Sequence, residues 1–170
     1  MSTRLAPPYA ADERTMLIAF LDYYRETMLA TCEGLSDEQL RWKPAATANS
    51  LLALTLHLAY VEKWWFAEGF LGEPPEPLPA WADPEDRDWE MKPPADFPFA
   101  DAVRMYRENA ARSNEIVRAA ASLDDVGMHP DHIARGITLR WILVHMVEET
   151  ARHAGHADIT RELIDGTVGL

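Results

Sequence analysis

Three of the six histidines fall within one short stretch near the end of the chain, His145-Met146-Val147-Glu148-Glu149-Thr150-Ala151-Arg152-His153-Ala154-Gly155-His156. At about 100° of rotation per helical residue, His145, Glu149, His153 and His156 share an arc of roughly 80°. Four candidate ligands therefore occupy one side of one helix. Glu149 and His153 are four positions apart, so their side chains can converge on a single ion. Imidazole and carboxylate together suit zinc or a similar first-row divalent metal. One helix covers only part of a coordination sphere, and a second element must supply the rest. His57, in Leu54-Thr55-Leu56-His57-Leu58-Ala59-Tyr60, is the candidate there. Its apolar neighbours turn it toward the core, where an unpaired imidazole costs about 1–3 kcal/mol. Three protein ligands with open positions make a catalytic metal site rather than a closed structural one. Two plainer readings stand beside this one. A lone core histidine is commonly hydrogen-bonded, and a Glu–His pair at this spacing is commonly a salt bridge.

The elements that must position these residues follow from periodicity. Met16, Leu17, Phe20, Leu21, Tyr24, Met28 and Leu29 line one face of a helix from about Asp12 to Glu33, with Gly34 in the place of a C-terminal cap. Ser36-Asp37-Glu38-Gln39 reads as a capping box opening a short helical turn that Pro44 stops. A second long helix starts at Asn49 or Ser50 and runs to about Leu71. A third covers about Phe99 to Leu123, its stripe made by Val103, Tyr106, Ala110, Ile116 and Val117. Asp124 to Arg135 is a polar connection holding His129 and His132. The last helix opens near Thr138 and closes at Asp165 before Gly166. Gly155 inside it costs about 1 kcal/mol relative to alanine, which close helix approach near the site would explain. Trp64, Trp65 and Trp141 read as core and cavity wall, with Trp64 or Trp65 bordering an opening.

Eight of the twelve prolines lie between Pro74 and Pro98, mixed with acids and with Trp81 and Trp89. A loop of this length, from Gly72 to Phe97, is uncommon in a compact domain. It is either a lid packed down through its tryptophans or a solvated acidic connector. No strand-like alternation of useful length interrupts the pattern. The chain is expected to be all-α, a four-helix bundle with a long crossover between its second and third helices, forming one domain over residues 1–170 with its core in 12–166.

Composition excludes other classes. A formal charge of −12, from 16 basic against 28 acidic residues, disfavours nucleic acid and anionic membrane surfaces as partners. No apolar run approaches the roughly 20 residues of a membrane span, and the polar stretch from Met1 to Ala10 lacks the hydrophobic segment of a secretion signal. The single cysteine, Cys32, excludes an intramolecular disulfide and fits a reducing cytoplasm. Cys32 lies near a helix end with no base beside it in sequence, and it reads as a buried structural thiol rather than a nucleophile.

The stretch from Arg140 through Gly166 resembles the C-terminal helix of the DinB-like superfamily, and more narrowly of its DUF664 branch. Leu56-His57-Leu58-Ala59-Tyr60-Val61-Glu62-Lys63-Trp64-Trp65-Phe66 resembles that branch's second-helix motif. The likeness spans about Asp12 to Gly166. It implies a four-helix bundle whose metal is held by one residue of the second helix and two, four apart, on the last. Carried over by position, the ligands are His57, Glu149 and His153. Many members use three histidines; the glutamate here matches the His–Glu–His set of mycothiol-dependent maleylpyruvate isomerase. It shifts preference toward harder metals, so nickel, manganese and iron stand beside zinc.

His145 and His156 then have two roles open to them: lining the cavity as catalytic bases, or hydrogen-bonding to ligands or facing helices. The resemblance further implies a thiol S-transferase that uses mycothiol or bacillithiol against a small electrophile, and a homodimer. A metal-dependent hydrolase and a non-catalytic, stress-related metal-binding bundle are the alternatives.

Overall fold

The computed structural model describes residues 4–44 and 49–169; the first three residues of the polar N-terminal stretch lie outside these. Among the described residues there are six α-helices: α1 (Glu13–Cys32), α2 (Asp37–Arg41), α3 (Leu51–Lys63), α4 (Phe99–Ala119), α5 (Pro130–Arg135) and α6 (Leu139–Asp165). There is no strand among the described residues, only an isolated bridge between Val126 and Thr138. Except at α4, which starts after Pro98, the helix starts follow side-chain capping. Asp12, Ser50 and Thr138 accept from the backbone N–H three residues on, and Ser36 and Gln39 form the capping box. Gly166 ends α6 in the left-handed conformation, with φ of 78°.

α1 lies along α6 and α3 along α4, with α3 also touching α6, giving a four-helix bundle. One apolar cluster holds Leu21, Phe66, Ile116, Ile142, Leu143 and Met146; a second holds Met28, Leu54, Leu58, Tyr106 and Ala157. Cys32 is buried in the second cluster, its Sγ donating to the Met28 carbonyl, and burial pushes its thiol up to about 12. Arg25 is buried between the helices and donates from Nε and Nη2 to Glu62 at 2.7 and 2.6 Å. This pair carries no sequence signature, because its members belong to different helices.

Two segments depart from the periodic reading. The second long helix does not continue as regular α to Leu71. Its end, Trp64–Phe70, is a π-helix, and Leu71 N–H donates to the Phe66 carbonyl. The carbonyls of Gly69 and Phe70 are taken instead by the N–H groups of His129 and Met128. His132, on α5, lies fully buried against this wide turn, and a Cβ on Gly69 would run into its ring and into the Trp64 carbonyl. The expected polar connection therefore contains a short helix and a buried histidine. Gly155 is a further correction. Among the described residues no atom beyond its own stretch of helix lies within 4 Å of where its Cβ would be, so no close helix approach accounts for it.

The Pro-rich crossover packs down. Trp81 meets Trp89 and Phe97 at ring centroid distances of 5.2 and 5.9 Å, and Trp89 meets Tyr60 of α3 at 4.7 Å. Trp89–Met91 form a single 3₁₀ turn, and Arg41 donates to the carbonyls of Pro94 and Phe97. The crossover thus lies along the flank of α3.

Candidate metal centre

His57 is the exception in a helix of otherwise buried neighbours, since Leu54, Leu56 and Leu58 are fully covered while its own side chain keeps 19% of its surface exposed. It faces α6, where Glu149 and His153 stand one turn apart. His57 Nε2 lies 3.3 Å from Glu149 Oε1, and His153 Nε2 lies 3.0 Å from the same oxygen. The two imidazole rings cross edge to face at 4.9 Å. One donor atom from each of the three residues falls within 4.8 Å of the others.

The donor set fits a divalent ion. Bonds of about 2.0–2.2 Å in a tetrahedron place neighbouring ligand atoms about 3.3–3.6 Å apart; the His57–Glu149 separation of 3.3 Å meets the lower edge of that range and the His153–Glu149 separation of 3.0 Å falls a little below it. Two imidazoles and one carboxylate are also the mixed nitrogen and oxygen donors such an ion takes. His153 Nδ1 is buried with no hydrogen-bond partner among the described residues, so the ring's hydrogen bonding is confined to Nε2.

Electrostatics run the same way. Hydrogen bonds from His153 and then His57 hold the Glu149 carboxyl well below its usual range, against the opposing effect of burial. For His57, burial opposes the charged form, but the hydrogen bonds to Glu149 and Glu90 overcome it and raise its pKa to about 9. Negative charge gathered around His57 in this way also favours a cation in its place.

Glu90 is the residue that periodicity missed. It comes from the 3₁₀ turn of the crossover, and its Oε1 accepts from His57 Nδ1 at 2.9 Å. One signal was available: Glu90 sits between Trp89 and Met91, the apolar flanks expected of a segment that docks. The remaining candidates on α6 lie elsewhere. His145 stacks on Trp141 at 5.0 Å and meets Trp65 edge-on at 4.7 Å. The exposed His156 has its ring 5.7 Å from that of His153. His132 lies against Trp65 and Trp64, and His129 lies beside it.

A cleft of about 780 Å³ opens one turn along α3 from His57. Tyr60, Lys63 and Trp64 form one wall, the crossover residues Arg87, Trp89 and Glu90 another, and Asn109 and Arg112 of α4 close the side. The three clustered residues do not line it; Glu90 touches both the cleft and His57.

A family model described as mycothiol S-transferase matches residues 16–166 of this chain. The chain belongs to the mycothiol S-transferase family. Among solved structures, a conserved protein from Enterococcus faecalis is 19% identical with a TM-score of 0.64, covering 93% of this chain and 100% of that one. At that identity the likeness speaks for the bundle alone, and it agrees with the fold expected of a DinB-like protein. No helix among the described residues is long and apolar enough to cross a membrane.

Proposed function

We propose that this chain is a divalent-metal-dependent thiol S-transferase, using mycothiol or a similar low-molecular-weight thiol such as bacillithiol against a small electrophile. The observation that carries the reading is the convergence of His57, Glu149 and His153 from two helices within 4.8 Å, in a chain matching the mycothiol S-transferase model. Three ligands leave coordination positions for a substrate atom. Zinc suits the two imidazoles, and the carboxylate also admits nickel, manganese or iron.

The chain has one cysteine, and it is buried with its thiol pushed up to about 12, so the reacting sulfur must come from a co-substrate. When bound, a divalent ion supplies Lewis acidity that lowers the pKa of a thiol sulfur. The work of the chain's own residues is then holding, shielding and proton transfer. His57, Glu149 and His153 hold the ion. Trp64, Trp89 and Tyr60 offer flat apolar surface in the cleft for the bulk of the thiol or the electrophile. As the sulfur–carbon bond forms, the electrophile's carbon gives up its leaving group or opens its ring or double bond, and the thiol proton passes to a base, for which His145 and His156 are the candidates on α6. His156 is placed beside His153 and open to solvent.

Metal-loaded protein incubated with mycothiol or bacillithiol and a panel of electrophiles tests this, with S-conjugates read by mass spectrometry. Conjugation dependent on both metal and thiol is expected. No conjugation with any pair contradicts the reading. Turnover that persists without thiol would instead favour a metal-dependent hydrolase, and stoichiometric metal without turnover a non-catalytic scaffold.

A further inference from the structure

The His57 ring is gripped from both sides, by Glu149 at Nε2 and by Glu90 at Nδ1. Only Nε2 points to the other two ligands, and an imidazole offers one nitrogen to a metal while the other keeps its hydrogen. A carboxylate accepting at Nδ1 secures that tautomer, fixes the plane of the ring and raises the basicity of Nε2. His153 has no comparable support, since its Nδ1 is buried without a partner among the described residues. Of the two imidazoles, one is oriented from outside the bundle helices, and the orienting group comes from the crossover.

The crossover delivers that carboxylate by packing independent of any ion. Trp89, next in sequence, lies against Tyr60 and Trp81, while Met91 on the other side joins the apolar cluster around Leu54 and Leu58. Glu90 itself keeps only 13% of its side-chain surface exposed. A charged group this covered, in a segment rich in solvated acids, is held there by its contact with His57.

Building on the metal centre proposed above, we propose that Glu90 is a positioning residue for it. Glu90 fixes His57 with Nε2 toward Glu149 and His153, and it thereby couples the ordered state of the 72–98 crossover to metal affinity. The coupling is reciprocal: an ion that favours this His57 orientation also favours the docked crossover.

The test is competition of the purified chain against a chromophoric chelator for zinc and for cobalt, with the cobalt absorption spectrum as a second readout. Glu90→Ala is expected to weaken affinity about 10- to 100-fold, the usual cost of losing such a partner. Glu90→Gln keeps an acceptor of the same shape and should fall between, with an altered cobalt spectrum and an unchanged far-ultraviolet dichroism. Glu76→Ala removes an equal charge from the same crossover, where Glu76 pairs with Lys63 at 2.7 Å, and should leave affinity within twofold. Proteolysis within 72–98 should slow on adding metal to the unsubstituted chain and not to Glu90→Ala. If the unsubstituted chain takes up neither metal, the reading of the centre itself fails. If it binds and both Glu90 variants bind as well as it does, the role given to Glu90 is overturned. If Glu90→Ala does not fold, the Glu90→Gln comparison decides by the same criterion.

Discussion

His57 Nε2 and Glu149 Oε1 meet at 3.3 Å across the contact of α3 with α6, although 92 positions separate them in sequence. His153 Nε2 approaches the same oxygen at 3.0 Å from the next turn of α6. Without an ion, one carboxylate oxygen serves two imidazoles. One donor atom from each of the three residues lies within 4.8 Å of the others, so loading the site with a cation would exchange protons for metal at groups already gathered together.

Replacing one ligand should therefore remove the ion and spare the fold. His153→Ala is expected to abolish stoichiometric metal binding, measured by elemental analysis after dialysis, while helicity by circular dichroism stays close to that of the unsubstituted chain. Retained binding would point to His145 or His156 as the true partners of Glu149.

The bundle has a second polar centre that serves stability. Glu62 is fully buried and closes the Arg25 guanidinium with two hydrogen bonds, and Asp22 and Asn114 reach the same group from its outer side. Burial opposes the charge of Arg25, but Glu62 more than offsets it and keeps the guanidinium firmly protonated. Removing one member of such a pair leaves an unmatched buried charge. Glu62→Ala should cost about 3–5 kcal/mol in urea unfolding. A loss below about 1 kcal/mol would mean that Asp22 and Asn114 suffice for Arg25.

Acid should destabilise the protein through His132. Its buried ring makes no well-formed hydrogen bond at either nitrogen among the described residues, and burial first, with the neighbouring His129 second, holds its pKa below the usual 6.5 against the weaker opposing effect of the Gly69 backbone. Arg135 acts in the same direction and Asp131 against it. Below pH 6.5 the unfolded chain binds a proton that the folded chain refuses, so stability falls as pH drops through 6.5 and levels off beneath the folded value. His57, raised to about 9, has the opposite sign, but its contribution is already complete below pH 6.5. Between pH 6.5 and 5, where the His57 contribution is constant, urea midpoints should decline less for His132→Phe than for the unsubstituted chain. Parallel curves would contradict the assignment.

What the sequence disclosed tracks the range of the forces involved. Helix ends were legible because Asp12, Ser36, Ser50, Thr138 and Gly166 act on backbone groups within three or four residues. The arc on α6 was legible for the same local reason, although its four candidates narrowed to Glu149 and His153 only through resemblance to a family. The role of Glu90 was not legible from periodicity, although its apolar flanks Trp89 and Met91 hint at a docked segment. Loop acids have no period, and which of them meets His57 depends on the path that Trp81 and Trp89 impose. The π-turn and His132 were hidden likewise, because Gly69 and Gly127 make room for a ring carried on a different element.

The central claim is that one divalent ion is held by His57, Glu149 and His153. Crystals of the zinc-loaded chain, with anomalous scattering recorded at the zinc edge, test it most directly. One strong peak about 2.0–2.2 Å from His57 Nε2, His153 Nε2 and a Glu149 carboxylate oxygen is the expected result. A fully loaded chain whose only peak lies elsewhere, beside His129, His145 or His156, would contradict it.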